Sequence, residues 1–370
     1  MNKTLLKTLF FGLMISSLNA QIPTGYYDNA TGTGYALKTQ LYNIIKVHST
    51  IGYAGLWTLY KTGDAWKDNY YDHDQTVLDI YSENPDGPDP YNFTLGVNQC
   101  GNYNGEGDCY NREHLIPQSI FNSSNPMYSD AFHIWPTDGK VNGMRSNYPF
   151  GRVGSVSWTS QNGSKLGSND NSGYSQGYIG TVFEPIEEFK GDIARAYFYF
   201  ATCYEGTDHS DWKPYEMFNY SNVHQFFTDA FKNILLKWHQ ADPVGPREQA
   251  INNAIYAAQN NRNPFIDHPD WVNVIWGYPL ATDDFEYQAR DFLQIYPTSL
   301  SVNQTVHIQS KDLKAQIKKV LVFNLNGILV QSFDNAANQP EVQIPFYQSG
   351  IYIIKVLGND FEVNRKVVVK

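Results

Sequence analysis

Two short polar segments contain the residue types that phosphodiester hydrolysis requires. Residues 110–119 contain Glu113 and His114, and residues 133–147 contain Asn142. Such hydrolysis needs a base for water, a cation for the phosphate charge, and donors that hold the phosphate. A neutral imidazole suits the first task, and a carboxylate with an amide oxygen suits Mg²⁺. The segments therefore predict a metal-dependent hydrolytic site.

Because Glu113 and His114 are adjacent, some kinds of metal-binding motif can be excluded. Tyr110 lies three positions before Glu113, so the helical zinc motifs His-Glu-x-x-His and His-x-x-Glu-His are excluded. Adjacent side chains of a strand point to opposite faces. The pair can share one site only if the backbone bends or the two side chains reach it from different sides. We expect a strand, a loop broken at Pro117, and a short helix carrying Asn142.

Other histidines invite alternative interpretations. His133 follows Phe132 and precedes Ile134, which favours a packed core histidine over a second catalytic one. The segments around His73 and His268 are rich in aspartate and look like metal sites, but structural turns explain them better.

Composition favours a globular, exported enzyme. The chain has 370 residues, 42% hydrophobic and 15% aromatic, and its net charge is −10. Net charge governs long-range steering and does not decide whether a local cleft binds phosphate. The acidity excludes coating of DNA, and we expect a local basic cleft with weak, salt-sensitive binding.

The N-terminal segment and the cysteines predict that the protein is exported from the cell. Residues 1–20 have a basic start, a short apolar run and a small-residue end, the pattern of a signal peptide. No later run is long enough to span a membrane. Cys100 and Cys109 flank a short Gly/Asn-rich segment and could form a disulfide, whereas Cys203 is expected to be a buried free thiol.

Hydrophobic periodicity predicts an α+β protein with two folded domains. Helices are expected at 34–49, 186–204, 221–239 and 246–260, a strand at 76–81, and a surface loop at 154–177. After about residue 290, short alternating runs at 302–308, 319–324, 327–333, 341–344, 351–357 and 361–369 predict a small β-sandwich. The expected divisions are a signal peptide at 1–20, a catalytic domain at 21–288 and an all-β domain at 289–370.

Several motifs in order resemble the bacterial endonuclease I family, whose members are extracellular or periplasmic non-specific nucleases with a ββα-metal (His-Me finger) site. The likeness rests on Asn-Arg-Glu-His-Leu-Ile-Pro-Gln-Ser at 111–119 and on His-Ile-Trp-Pro-Thr-Asp-Gly-Lys-Val-Asn-Gly-Met-Arg-Ser-Asn at 133–147. It continues at 183–185, 190–196 and 261–269, and it covers roughly residues 25–280.

This resemblance implies roles for individual residues. His114 matches the general base, and Glu113 and Asn142 match the Mg²⁺ ligands; Mn²⁺ and Ca²⁺ are the alternative ions. The products would be 5′-phosphate ends. Five further residues are candidates for phosphate or substrate contact: Arg195, which would serve catalysis directly, and Arg112, Arg145, Asn147 and Arg262. For Arg195, a buried ion pair with Asp192 or Glu188 is an equal alternative. Arg112 could instead only balance the charge of Glu113.

The C-terminal segment resembles the sorting domain of the type IX secretion system. Ile295-Tyr296-Pro297 opens it, and Asn326-Gly327 marks a turn. It departs from the usual pattern at Thr298-Ser299, where Asn-Pro is more common. The resemblance implies a partner in the secretion machinery and no part in catalysis.

Three functions remain open at this point. The first is a secreted, Mg²⁺-dependent, monomeric endonuclease that acts on DNA and also on RNA through backbone contacts. The second keeps the chemistry but restricts the substrate to RNA. The third is a non-catalytic matrix or adhesion protein, which would have no need of a base beside a metal site.

Overall fold

A computed structural model describes residues 22–208, 212, 217–219, 221–277, 293–310, 317–324, 329–334, 341–358 and 362–370. The chain divides into two units, Met1–Gly277 and Tyr278–Lys370. The expected signal peptide and the expected domain boundary near residue 288 lie outside the described residues. No helix in the described ranges is long and apolar enough to cross a membrane.

The helices of the first unit largely follow the predicted segments. Their bounds are α1 Gly34–Ile45, α2 Gly55–Tyr60, α3 Gly139–Arg145, α4 Lys190–Cys203, α5 Asp229–Ala241, α6 Pro246–Gln259, α7 Pro264–Asp267 and α8 Asp270–Ile275. Helix α5 begins eight residues later than the segment predicted at 221–239, and α1 ends four residues earlier than predicted. Helix α6 begins at Pro246, and the Gly245 amide donates to Glu248 Oε2 in a capping interaction.

Helix α4 forms the centre of this unit, because all 14 of its residues are buried. Its aromatic side chains, such as Tyr197, Phe198 and Phe200, pack against rings from α5, α7 and the segment around Phe226. A helix that is buried on every side is typical of the core of a larger domain. Helix α4 therefore buries all of its sides, and not only the apolar positions whose periodicity predicts it.

Two sheets complete the first unit. Strands β1 Tyr110–His114 and β2 Ile134–Asp138 pair antiparallel, and α3 follows β2 directly. This is the strand, loop and helix arrangement expected around Glu113 and Asn142. A second sheet has the order β3-β4-β5, with β3 Val153–Thr159, β4 Lys165–Asn169 and β5 Thr181–Glu184.

Two local predictions are wrong. Residues 154–177 contain β3 and β4 rather than only a surface loop. Backbone pairing with β4, which itself pairs with β5, holds β3, a Ser- and Gly-rich strand that is largely solvent-exposed. Residues 76–81 do not form a strand beyond one isolated bridge at Val77. There, the Asp79 carboxylate accepts hydrogen bonds from Tyr81 N and Ser82 Oγ, a local turn that competes with strand pairing.

The second unit is a β-sandwich, as predicted. Its strands are β6 Leu293–Tyr296, β7 Ser299–Leu300, β8 Thr305–Ser310, β9 Ile317–Asn324, β10 Leu329–Asp334, β11 Glu341–Pro345, β12 Gly350–Gly358 and β13 Glu362–Val369. They form sheets of order β10-β9-β12-β13-β7 and β11-β8-β6. Alternate residues of both sheets, including Ile308, Val322 and Ile354, share one hydrophobic core.

A buried ion-pair network ties α4 to α6. Arg195 is 0% exposed, and its Nε and Nη2 donate to the two carboxylate oxygens of Glu248 at 2.6 and 2.7 Å. Nη2 also reaches Asp192, and Nη1 donates to the Asp242 carbonyl. Arg247 pairs with the other oxygen of Asp192. With its donors engaged and no exposed surface, Arg195 holds the helices together, which corrects the catalytic role expected from sequence.

Arg262 is likewise a structural residue. It is 3% exposed, and its Nε and Nη2 donate to the two carboxylate oxygens of Asp267 at 2.6 and 2.7 Å. Tyr27 donates to the same carboxylate. Because Arg262 is buried and its guanidinium pairs with Asp267, the substrate contact expected from sequence is corrected as well.

Replacing Arg195 tests this structural assignment. We expect Arg195→Gln to lower the free energy of unfolding by about 3–5 kcal/mol, because Glu248 and Asp192 would stay buried without their partner. Denaturant titration of the full chain measures this. In the control Asp64→Asn, where the ion pair with Lys67 is exposed, the change stays below about 1 kcal/mol. A stable Arg195→Gln with only weakened substrate binding would contradict the assignment.

Candidate active site

The junction between β2 and α3 is built around the carboxylate of Asp138. Its Oδ1 accepts a hydrogen bond from Val141 N at 2.7 Å and so caps the first turn of α3. Its Oδ2 accepts from Gly107 N at 2.8 Å, which fixes the loop before β1. The Asp138 amide donates to Asp79 Oδ2 at 2.8 Å. These bonds set the direction of α3, the helix that carries Asn142.

Arg145, at the end of α3, holds the end of β1. Its Nη1 donates to Glu113 Oε1 at 2.9 Å and to the His114 carbonyl at 2.7 Å, and its Nη2 donates to the Leu115 carbonyl at 2.5 Å. The side chain is 1% exposed and lies over the ring of Phe150. Arg145 therefore positions the site from behind, and the substrate contact expected from sequence is corrected.

Five of the predicted residues line one cleft of about 320 Å³. They are Arg112, Glu113, His114, Asn142 and Asn147. The adjacent residues Glu113 and His114 thus reach the same cleft although they are neighbours at the end of a strand. Arg145, Arg195 and Arg262 do not line it.

His114 lies beside a stacked pair of tyrosine rings, Tyr53 and Tyr128, whose centroids are 4.3 Å apart. Its ring stacks on Tyr53 and Tyr128, with centroid distances of 5.6 and 5.5 Å. Its Nε2 is buried and has no hydrogen-bond partner. Burial, with the charges of His133 and nearby arginines, lowers the pKa of His114 to about 3, so the imidazole is neutral at neutral pH. A neutral ring with an open nitrogen is the state that accepts a proton.

Glu113 and Asn142 present oxygens to the same cleft. Glu113 Oε1 accepts hydrogen bonds from Tyr81 Oη at 3.0 Å and from Arg145, while Oε2 receives none from the described residues. Asn142 Nδ2 donates to Asn111 Oδ1 at 2.7 Å, which leaves the Asn142 amide oxygen for another partner. Burial raises the pKa of Glu113 to about 7, although Arg145 and Tyr81 favour its charged form. A bound cation would favour that form further.

Arg112 is the arginine of this cleft. Its guanidinium lies 3.4 Å from the ring centroid of Tyr53 and 4.4 Å from that of Trp57, and Nη1 donates to the Tyr53 carbonyl at 2.6 Å. It is partly exposed and makes no ion pair with Glu113 among the described residues. The alternative that Arg112 only balances Glu113 therefore has no support, since Arg145 does so.

Several lining residues were not identified from sequence. They are Tyr53, Trp57, Gly101, Asn111, Pro117, Gln118 and Ser146; Cys100 also lines the cleft, but the sequence predicts it only as a disulfide partner. Asn111 and Gln118 lie within the polar segment 110–119, so their residue types alone could have indicated that they line the cleft. Tyr53 and Trp57 lie more than fifty positions earlier, and nothing in their local pattern indicates the cleft.

The histidines outside the cleft have structural surroundings. His133 is 0% exposed, its Nε2 contacts the Met127 carbonyl at 2.8 Å, and its ring packs on Phe200. His268 stacks on Trp271. Both placements agree with the interpretation of these residues as packing histidines.

A small disulfide loop packs against α3. Cys100 and Cys109 are joined, with Cα atoms 5.8 Å apart, and Cys203 is buried and free. Within the loop, Tyr103 lies so close to α3 that a Cβ added at Gly143 would be 2.0 Å from its hydroxyl. The glycine is therefore needed for the close approach of this ring to the helix of Asn142.

The contact between Tyr103 and α3 can be tested by whether one substitution raises or lowers the free energy of unfolding. We expect Gly143→Ala to cost about 1–3 kcal/mol of unfolding free energy, because the methyl group overlaps Tyr103. In a Tyr103→Ala background the same change should stabilise by about 1 kcal/mol, since alanine favours a helix over glycine. Denaturant titration of the four proteins measures both values. Gly105→Ala, where nothing lies within 4 Å, is the control. Equal effects in both backgrounds would refute the contact.

Comparisons with known proteins identify the family of each part of the chain. The family model for endonuclease I matches residues 33–270, and the model for a secretion system C-terminal sorting domain matches residues 294–370. An extracellular ribonuclease of Bacillus subtilis (strain 168) is 33% identical over 255 residues, which cover 68% of this chain and 78% of that protein. A second extracellular ribonuclease, from Bacillus amyloliquefaciens, is 32% identical over the same shares.

Solved structures add little. The sulfur carrier protein SoxY from Chlorobium limicola f thiosulfatophilum is similar over 21% of this chain and 78% of its own, at 16% identity and a TM-score of 0.16. A TM-score this low supports no inference about function. The family match covers more than half of the chain. The protein therefore belongs to the endonuclease I family of phosphodiester hydrolases, and it is secreted by means of a C-terminal sorting domain.

Proposed function

We propose that this nuclease is a Mg²⁺-dependent endonuclease that cleaves both DNA and RNA without sequence preference, with His114 as its general base. One observation carries the proposal. A neutral, buried histidine whose Nε2 has no hydrogen-bond partner lines the same cleft as Glu113 and Asn142, each of which has a side-chain oxygen that accepts no hydrogen bond from the described residues. A base and a hard-oxygen donor set in one cleft are what water-driven phosphodiester hydrolysis needs.

The donor set fits a divalent metal. Glu113 Oε2 and the amide oxygen of Asn142 are both uncommitted within the described residues, and the cleft has room for water ligands. Mg²⁺ prefers oxygen ligands, keeps several waters and needs few protein groups; Mn²⁺ could replace it. When bound, the metal would supply positive charge to the phosphate and to the leaving 3′ oxygen.

The protein side chains accept the proton and bind the phosphate. The Nε2 of His114 takes the proton from the attacking water, and the rings of Tyr53 and Tyr128 prevent the imidazole from turning away. Arg112, held by the stack with Tyr53 and Trp57, offers its remaining donors to a phosphate oxygen. Attack by water on the phosphorus with departure of the 3′ oxygen leaves a 5′-phosphate end.

Two observations bear on the substrate. Two relatives are named extracellular ribonucleases, which favours RNA as one substrate. The cleft is lined by Arg112, His114 and side-chain amides. These groups suit contacts to the sugar-phosphate backbone common to DNA and RNA, which favours binding without sequence preference. The alternative function is a ribonuclease that rejects DNA.

Removal of the base tests the mechanism. We expect His114→Ala to lower the rate of nicking by about 10²–10⁴-fold, the usual contribution of a general base. Supercoiled plasmid and structured RNA, incubated side by side with Mg²⁺, report the rates. The matched control His224→Ala removes a histidine that is 53% exposed and should keep near-normal rates. Equal activity of His114→Ala and the control would refute the assignment, and cleavage of RNA alone would leave the ribonuclease.

The metal ligands are tested by a Mg²⁺ titration after treatment with EDTA. We expect Asn142→Ala to require much more Mg²⁺ for half-maximal activity, because it removes one of two protein ligands, whereas Asn142→Asp keeps an oxygen there. Asn43→Ala, at an exposed position of α1, is the control and should match the wild type. An unchanged Mg²⁺ requirement in Asn142→Ala would exclude Asn142 as a ligand.

A further inference from the structure

The chain leaves α3 through a turn with an uncommon backbone conformation. Ser146, the residue that ends the helix, has φ 51° and ψ −130°. Across the turn, the Tyr148 amide donates to the Arg145 carbonyl at 3.1 Å. A positive φ at the first central position, together with this hydrogen bond, is the pattern of a type II′ turn, and glycine is the usual residue there. Ser146 therefore carries a side chain where the backbone is strained for any residue but glycine.

The fold alone does not explain a serine at this position. Glycine adopts the same conformation without strain and would form the same turn. Ser146 is exposed, and its hydroxyl forms no hydrogen bond with the described residues. The side chain therefore neither fills the core nor caps the helix. Residues held in strained conformations cluster at sites that act on ligands, so the hydroxyl is the part of Ser146 to explain.

Ser146 lines the catalytic cleft, and its backbone is fixed there. Its amide donates to the Asn142 carbonyl at 2.9 Å. The residue before it, Arg145, is bound to Glu113 and to the end of β1. The place of the Ser146 backbone relative to the proposed metal ligands is therefore set before any substrate binds. A hydroxyl on such a frame loses little freedom when it binds a ligand.

We propose that the hydroxyl of Ser146 donates a hydrogen bond to a phosphate oxygen of the nucleic acid bound in the cleft. This inference rests on the proposed function, because the phosphate belongs to its substrate. Serine hydroxyls are regular donors to phosphate in complexes with nucleic acids. In a cleft of about 320 Å³, at the lower end of the range for ligand sites, a bound phosphate lies close to every wall. Arg112 supplies the positive charge in this cleft, and Ser146 supplies a neutral donor next to the helix of Asn142.

Two substitutions at Ser146 separate the backbone strain from the hydroxyl. Ser146→Gly removes both, whereas Ser146→Ala removes only the hydroxyl. We expect the unfolding equilibrium of Ser146→Gly to lie about 5-fold further toward the folded state than that of Ser146→Ala, because relief of strain exceeds the freedom that glycine gains in the unfolded chain. Denaturant titration of the full chain measures both. If Ser146→Gly were the less stable of the two, the serine would be explained by folding and the inference would be overturned.

Binding of labelled single-stranded oligonucleotides, one of DNA and one of RNA, tests the contact itself. The measurement uses the full chain in a His114→Ala background with Mg²⁺, which suppresses turnover, and fluorescence anisotropy gives Kd. We expect Ser146→Gly and Ser146→Ala each to raise Kd about 10-fold for both oligonucleotides, the effect of losing one hydrogen bond to a charged group. The control Asn260→Gly changes a residue with φ 63° at the end of α6, outside the cleft, and should leave Kd unchanged.

The expected signature is a variant, Ser146→Gly, that gains stability and loses affinity, which damage to the fold does not produce. An unchanged Kd in Ser146→Ala would overturn the inference even if Ser146→Gly bound more weakly, because flexibility alone would then account for the loss. Weakening confined to RNA would overturn it too, since the hydroxyl would then contact the ribose and not the phosphate. If the His114→Ala background still cleaves, the assignment of the base fails, and the KM values of the Ser146 variants decide the question in place of Kd.

Discussion

The buried guanidinium of Arg145 is the interaction on which the active site depends. It belongs to the last turn of α3, and its partners are the carboxylate of Glu113 and two consecutive carbonyls at the end of β1. One side chain therefore joins the helix of Asn142 to the strand of Glu113 and His114. Because Glu113 is buried, this positive charge also favours its ionised form against the cost of burial. This contact therefore fixes the positions of Glu113 and His114 relative to the helix that carries Asn142.

The acidic net charge and a phosphate-cleaving site coexist because they act over different ranges. The chain carries −10 overall, yet the guanidinium of Arg112 lines the cleft. Solvent and salt screen distant surface charges within about 10 Å. The charge next to a phosphate in the cleft is therefore set by local groups such as Arg112 and not by the overall charge.

Much of the fold could be predicted where a repeating pattern is buried on one face. The C-terminal strands alternate clearly, and each predicted run overlaps an observed strand, although some bounds lie outside the described residues. The two wrong predictions have different causes. At Asp79 a side chain accepts hydrogen bonds from neighbouring residues, and this local turn competes with the strand that the apolar pattern predicts. In β3, pairing with a neighbouring strand holds a polar strand that has no hydrophobic face, which its own sequence does not show.

The sequence alone determined which residue types were present for the chemistry and in what order, since Glu113, His114 and Asn142 lie within two compact motifs. Only the tertiary structure decided which arginines reach the cleft. Arg112, Arg145, Arg195 and Arg262 are all arginines in family-like motifs, but three of them are buried against carboxylates. The partner of Arg195 is 53 residues away in the chain, and the stacking partner of Arg112 is 59 away. Whether a guanidinium faces solvent or a buried carboxylate depends on which distant segments pack beside it, and residue type does not show that.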